Sequence, residues 1–395
     1  MTEHTPKVTV MLPSYNHEKY VAEAIESCLA QTFGDYELLI SDDCSPDKTF
    51  EIAKEYMDER IVFHRFEHNV GAAENHRYCY AHAKGEYIAL LNSDDVWMPE
   101  HLEGKVEYLD AHPECGAVFS WAMAIDEDSQ VIDPCMEVFR QENRTRQEWL
   151  LRLFTGGNCI CHPSMLIRRE VYDRVGFYWQ PFRQLPDFYQ WIRILKQYSI
   201  HVIPQTQVKH RRCIRTMGNT SAPILPNSIR DVNESSMILR HFFDGMSDEF
   251  FRETFHSLFR RPEASTHEEL ICEKFFLMLD GKYYMTMVTP LAAYQFFSEN
   301  CSDPEVLRTM YEAYGYSINE YYKLGASLNI YRLGEAPAQP SPAVESKPAT
   351  DEKEGPFPPF HKKYRLLAIL WAVFGPDSAA YRWGCRQVQK RLQAH

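Results

Sequence analysis

Two adjacent carboxylates, Asp94 and Asp95, stand directly behind an apolar run in the stretch EYIALLNSDDVWMP, residues 86–99. The run, residues 87–91, is apolar almost without a break and reads as a strand buried on both faces. Charges in that place repel, and one takes up a proton unless a cation or strong donors hold the pair. A hard divalent ion such as Mg²⁺ or Mn²⁺ takes carboxylate oxygens and keeps positions open for substrate phosphates. The competing explanation is that Ser93, Asp94 or Asp95 caps a helix beginning near Pro99.

The elements that must position this pair follow from periodicity. Strands are expected at 8–12, 36–40, 61–66, 87–91 and 116–121. Between them, helical spacing (Tyr20, Val21, Ala24, Ile25, Cys28, Leu29) marks a helix over 18–31. Ser45-Pro46 is expected to open a second helix, with serine as cap and proline at the first helical position. Two more follow, one from the Asn69-Val70-Gly71 turn to about 83 and one over 99–111. Such alternation implies right-handed crossovers and a mainly parallel sheet, the α/β class, with ligands bound beyond the carboxyl ends of the strands. Tyr15, Asp43 and Asp94-Asp95 fall at those ends on three different strands. Singly, Tyr15 is an ordinary half-buried aromatic, and Asp42 or Asp43 serves a helix start. Together they make a coherent nucleotide site: a ring to stack on a base, a carboxylate for its imide or ribose, and a metal-binding pair for a diphosphate.

With 395 residues, 45% hydrophobic and 13% aromatic, the chain can bury a sizeable core in one large domain with additions, or in two. A formal charge of −13 argues against a nucleic-acid partner, and an acidic protein handling a phosphorylated substrate needs a local cation. Eleven cysteines show no paired framework. Cys159, Cys161 and His162 are too tightly spaced for the usual zinc patterns, so reduced thiols in a cytoplasmic protein are expected. The amino terminus lacks signal-peptide character, and no apolar run reaches the roughly 18 to 20 residues that span a bilayer.

The stretches VTVMLPSYNHEKYVAEAIESCLAQTF, YELLISDDCSPDKT, NVGAAENHRYCYAHAKGEYIALLNSDDVWMPEHL and LPDFYQWIRI, covering most of residues 8–212, resemble family 2 glycosyltransferases of the GT-A fold. The resemblance implies donor-base contacts by Pro13, Tyr15 and Asp43. It puts the metal and diphosphate at residues 92–95, with Asp95 on the Mn²⁺ or Mg²⁺ and Asp94 at the ribose or behind the metal. Arg77 is a further candidate for a phosphate contact, against a solvated helix-face charge. Asn92 stands where the family often has an acid. In LPDFYQW, Asp187 matches the family's catalytic base, although Pro186 replaces a common glutamate. Phe188, Trp191, Ile192 and Leu195 keep helical spacing and put Asp187 at a helix start, where a plain capping role competes. The family also tends to carry a histidine and a serine after its last strand. His210 and Ser221 are available, but their spacing does not assign them. Residues 158–169 lie where such enzymes form the acceptor side, and His162 and Trp97 there could touch sugar or simply pack.

The expected organisation is a catalytic domain over 1–225, an aromatic-rich helical domain over 226–334, a disordered proline-rich linker over 335–360 and a basic amphipathic tail helix over 361–395. The helical domain could shape the acceptor site or a dimer interface. In the tail, Lys362, Lys363, Arg365, Arg382, Arg386, Lys390 and Arg391 oppose Asp377 alone, around the short apolar run 366–374. That fits a helix lying in an anionic membrane interface, with a docking helix as the alternative. The reading is an inverting, metal-dependent glycosyltransferase of the hexosyl or N-acetylhexosaminyl class. By resemblance its donor is a nucleotide sugar on UDP, and its acceptor a glycan or lipid-linked hydroxyl in cell-surface polysaccharide synthesis, in the cytoplasm or at the inner face of the membrane. The alternative from another class is a non-catalytic sugar-nucleotide-binding or scaffold protein of a glycan assembly complex, in which Asn92 and Pro186 mark lost chemistry. Nucleotidyl transfer is disfavoured because no glycine-rich, basic loop follows the first strand.

Overall fold

The computed structural model describes residues 4–178, 182–213, 215, 216, 219 and 221–330. The expected linker and tail, 335–395, lie outside the described residues, as does the end of the expected helical domain. The described chain through residue 328 belongs to one compact unit.

Its first half is the expected alternation: β1 (Val8–Ser14), α1 (Val21–Leu29), β2 (Tyr36–Asp42), α2 (Thr49–Ala53), β3 (Ile61–Arg65), α3 (Ala72–His82) and β4 (Tyr87–Leu90). These strands lie in the parallel order β3-β2-β1-β4. Every residue of β2 and β4 is buried. Side chains alternate faces along a strand. Val8, Val10 and Leu12 therefore join Val21, Ile25, Leu38 and Ile40 in one core, while Met11 and Leu39 join Ile88, Trp149 and Trp191 in the other. Gly85 lets β4 enter this close-set sheet, since a Cβ there would lie 2.3 Å from the Thr9 backbone nitrogen.

The second half is mixed. It runs β5 (Val96–Trp97), α4 (Glu103–Ala111), β6 (Cys115–Ile125), β7 (Val131–Asp133), α5 (Arg146–Gly156), β8 (Leu166–Arg168), α6 (Arg169–Val175), α7 (Pro186–Leu195) and β9 (Ser199–Arg211). The short β8 inserts antiparallel between β4 and β6, so the strand expected fifth is separated from the fourth. Parallel pairing resumes between β6 and β9, and β5 closes the far edge antiparallel to β9.

Two helix starts differ from expectation. Ser45-Pro46 does not open α2, which begins at Thr49 with Asp47 accepting the Thr49 N–H at 3.1 Å. Ser45 instead donates its hydroxyl to the buried Asp42 carboxylate at 2.5 Å, and its N–H to the same group at 2.9 Å. The helix expected from Pro99 begins at Glu103, so Ser93, Asp94 and Asp95 cap nothing.

Among the described residues six helices follow: α8 (Leu225–His241), α9 (Asp248–Phe255), α10 (His267–Leu279), α11 (Thr289–Asn300), α12 (Pro304–Tyr314) and α13 (Ile318–Ser327). Their aromatic residues continue the core of the sheet-bearing half. Phe154 of α5 packs edge-on to Phe242, Phe255 and Tyr283 with ring centroids 5.0, 5.2 and 5.3 Å away. The ten described cysteines are all free.

Candidate active site

Pro13 pairs in register with Ser41, and Ser14 with Asp42, so the chain leaves β1 and β2 side by side. Tyr15 then projects at the rim, 45% exposed. Asp43 is buried, 2% exposed, and accepts the N–H groups of Val70 and Gly71 at 2.7 and 2.9 Å, one on each oxygen. Gly71 can offer its N–H there because it adopts φ +89°, open to glycine at little cost. Burial raises the Asp43 carboxyl above its ordinary range, and the two N–H groups work against that. The neighbouring aspartates thus divide: Asp42 staples its own turn, and Asp43 ties β2 to the start of α3. Arg77 lies on the outer face of α3, 52% exposed and paired with Glu74.

Asp94 and Asp95 sit in the turn between β4 and β5. Asp95 is fully buried and accepts three bonds: the Arg211 N–H at 2.8 Å and His210 Nδ1 at 3.0 Å on one oxygen, and Asn92 Nδ2 at 2.9 Å on the other, which leaves acceptor capacity on the carboxylate. Burial alone would raise its carboxyl, but the His210 ring and these donors hold it below the ordinary range. His210 responds reciprocally, held above its ordinary range by Asp95 against the pull of burial. Asn92 performs here a task an acid could not, donating to the carboxylate. Asp94 differs: burial first and Asp95 second push it up, and among the described residues the only side chain donating to it is Asn219, at 3.1 Å.

Behind the pair lies Arg211, fully buried on β9, which no sequence pattern flagged. Its Nε donates to the Asp94 carbonyl at 2.7 Å, its NH2 lies 2.5 Å from Glu23, and the guanidinium covers the Tyr20 ring at 4.5 Å. Among the described residues no three His, Cys, Asp or Glu side chains are grouped to hold a metal ion. The donor set nonetheless fits a hard cation of the Mg²⁺ or Mn²⁺ kind, since such ions are commonly held by one or two carboxylates plus substrate phosphates. One carboxylate is kept charged beside another, Asp94, whose fewer donors are outweighed by burial and by Asp95.

Asp187 opens α7, with Pro186 at the first helical position as its fixed φ favours. Asn158 Nδ2 donates to Asp187 Oδ2 at 2.8 Å, while Asn158 Oδ1 accepts the Ile160 N–H at 3.2 Å. The second bond fixes which end of the amide faces the carboxylate. Burial dominates, and the Asp187 carboxyl is pushed up to about 6. From α8, Glu234 accepts the N–H groups of Arg183, Gln184 and Leu185 at 2.9, 2.8 and 2.8 Å and so fixes the approach to α7.

The two acidic centres flank one segment, residues 158–162. Cys161 lies within electrostatic reach of both Asp95 and Asp187. His162, the next residue, packs 5.8 Å from Trp191 on α7 and also feels Asp95. The structure thereby brings the residues on β1, β2 and β4 to one sheet edge, with Asp187 across the segment 158–162. Sequence reasoning had left His210 unassigned, and it missed Arg211, Asn219 and Glu234, which carry no local pattern.

Residues 9–176 match the family model Glycosyl transferase family 2. An uncharacterized glycosyltransferase of Methanocaldococcus jannaschii is 31% identical over 211 residues, 52% of this chain and 71% of that one. The Escherichia coli UDP-Glc:alpha-D-GlcNAc-diphosphoundecaprenol beta-1,3-glucosyltransferase WfgD is 30% identical over 196 residues, 50% of this chain and 72% of its own. Among solved structures, S. aureus TarS 1-349 in complex with UDP-GlcNAc aligns with TM-score 0.51 and 17% identity, covering 83% of this chain and 92% of that one. That likeness is one of fold, the GT-A arrangement with a helical extension. The chain belongs to glycosyltransferase family 2.

Proposed function

We propose that this chain is an inverting, metal-dependent glycosyltransferase that moves a sugar from a nucleotide-diphosphate sugar, on UDP, to a hydroxyl of a glycan or lipid-linked acceptor in cell-surface polysaccharide synthesis. One observation carries the reading: a carboxyl pushed up to about 6, Asp187, lies across the segment 158–162 from Asp95, a carboxylate whose donors hold it charged. Environments that drive neighbouring carboxylates apart assign acid–base work to one and electrostatic work to the other.

In this reading Pro13, Tyr15, Asp43 and Asp94 hold the nucleotide, Arg77 adds a weak contact from the solvent-exposed face of α3, and Asp95 is the metal ligand. A bound divalent cation supplies charge stabilisation to the departing nucleoside diphosphate. Asp187 takes the acceptor hydroxyl's proton as that oxygen attacks the anomeric carbon, and Asn158 holds its carboxylate in place. One base set opposite the leaving group favours in-line displacement with inversion. WfgD's name gives a UDP-sugar donor and a diphosphoundecaprenol acceptor for that relative, which supports a lipid-linked acceptor and work beside a membrane here. Whether the sugar is a hexose or an N-acetylhexosamine depends on the loops around it. The catalytic part ends near 225, and the helical region over 226–334 shapes the acceptor side.

Calorimetric titration with UDP, GDP and dTDP, each with and without Mn²⁺, tests this reading. Tight binding of one of them that requires Mn²⁺ is expected. Absence of binding by all three would return the chain to the scaffold reading.

A further inference from the structure

His162 is not used by the mechanism above, yet its setting is built rather than incidental. It begins a single 3₁₀ turn, His162–Ser164, pinned by its neighbours. Ser164 Oγ donates to the Cys161 carbonyl at 2.7 Å, and the Trp97 indole N–H to the Pro163 carbonyl at 2.8 Å. A side chain on such a platform is held to a narrow range of positions.

Its ring is walled by Trp191 at 5.8 Å, His76 at 6.3 Å and Tyr178 at 5.5 Å. Nε2 lies 2.5 Å from the Tyr178 hydroxyl, while among the described residues no hydrogen bond reaches Nδ1, and the residue is only partly buried. Burial foremost, then the His76 ring, pushes the imidazole down to about 3, so it stays neutral at working pH. A neutral imidazole has one donor and one acceptor nitrogen. Assigning the Tyr178 O–H as the donor to Nε2 puts the proton on Nδ1, the nitrogen without a partner among the described residues.

Resting on the glycosyl-transfer reading, we infer that His162 is a binding residue for the transferred sugar, its Nδ1–H donating to a sugar hydroxyl between the acidic pair and Asp187. Location gives the ligand class. The leaving diphosphate belongs at Asp94 and Asp95, the acceptor hydroxyl at Asp187, and the sugar must bridge them along the 158–162 wall. An aromatic enclosure with one fixed donor is the usual dress of a polyol subsite. Because a buried polar group left unpaired costs binding, the same donor would discriminate against sugars lacking that hydroxyl.

The test compares affinities for UDP and UDP-glucose in Mn²⁺, with UDP-N-acetylglucosamine as a second donor, in wild type, His162→Leu and His162→Asn. Leucine removes the donor, whereas asparagine restores an N–H near the Nδ1 position. His162→Leu is expected to weaken nucleotide-sugar binding by roughly tenfold while UDP affinity stays within about twofold. His162→Asn should recover most of the loss. Equal weakening of UDP and nucleotide sugar, or no change in either, would overturn the assignment. Should His162→Leu fail to fold, Tyr178→Phe, which releases the proton from Nδ1, must reproduce the selective loss, and an unaltered ratio there would overturn it as well. If wild type binds UDP but no more tightly as a nucleotide sugar, this inference fails while the nucleotide site survives. If wild type binds neither, the glycosyl-transfer reading falls first.

Discussion

The acidic turn between β4 and β5 and the acid at the start of α7 are both buried carboxylate centres, yet they are supported in opposite ways. Asp95 accepts from a backbone N–H, an imidazole and an amide, with a guanidinium bracing the turn from behind. Asp187 accepts from the Asn158 amide and from backbone N–H groups at its own helix start, and burial outweighs them. Donors to the charged form favour ionisation, whereas desolvation favours the proton. The chain thus separates a carboxylate that stays charged from one poised to exchange a proton, through neighbours rather than through the aspartates themselves.

Breaking the first centre should have the largest effect. Asp95→Ala is expected to lower Mn²⁺-dependent nucleotide affinity by more than about a hundredfold, measured by calorimetry, because a ligand and its bracing network go together. The acid limb set by Asp187 should be untouched in whatever activity remains.

The second centre predicts a pH dependence with a definite sign. Asp187 must be ionised to accept a proton, and its carboxyl sits near 6. kcat/KM should therefore climb about tenfold per pH unit below pH 6 and level off above it. Asn158 donates to the charged form, so Asn158→Ala should move the limb to higher pH and lower the rate at pH 6 by about three- to tenfold. A limb that stays in place would mean that Asn158 does not tune the base.

The smallest effect is expected at Arg77, whose ion pair with Glu74 is solvent-exposed. Arg77→Ala should weaken nucleotide binding by only about two- to threefold in a titration. A loss comparable to Asp95→Ala would place it on the diphosphate.

The comparison also explains what the sequence could tell. The alternation through β4 was legible because β1, β2 and β4 are buried on both faces, with only the edge strand β3 part-exposed, and because α1 keeps its apolar spacing. The acidic turn was legible because two charges behind such a strand demand compensation. The compensation was not. Arg211 and His210 lie more than a hundred residues away on β9, and Asn158 acts through an amide orientation that no local pattern encodes. The insertion of β8 between β4 and β6 was hidden for a related reason, since a three-residue strand paired antiparallel to residues 87–89 leaves no periodic signal. Ser45-Pro46 misled because a cap-like serine can serve a carboxylate three residues upstream equally well.

The most direct test of the division of labour is Asp187→Asn, assayed for Mn²⁺-dependent nucleotide-sugar binding and for transfer in the same preparation. Binding within about twofold of wild type, with transfer down roughly a hundred- to ten-thousandfold, is the predicted result. Transfer that survives, or binding that disappears with it, would contradict the assignment of Asp187 as the base and of the acidic turn as an independent binding centre.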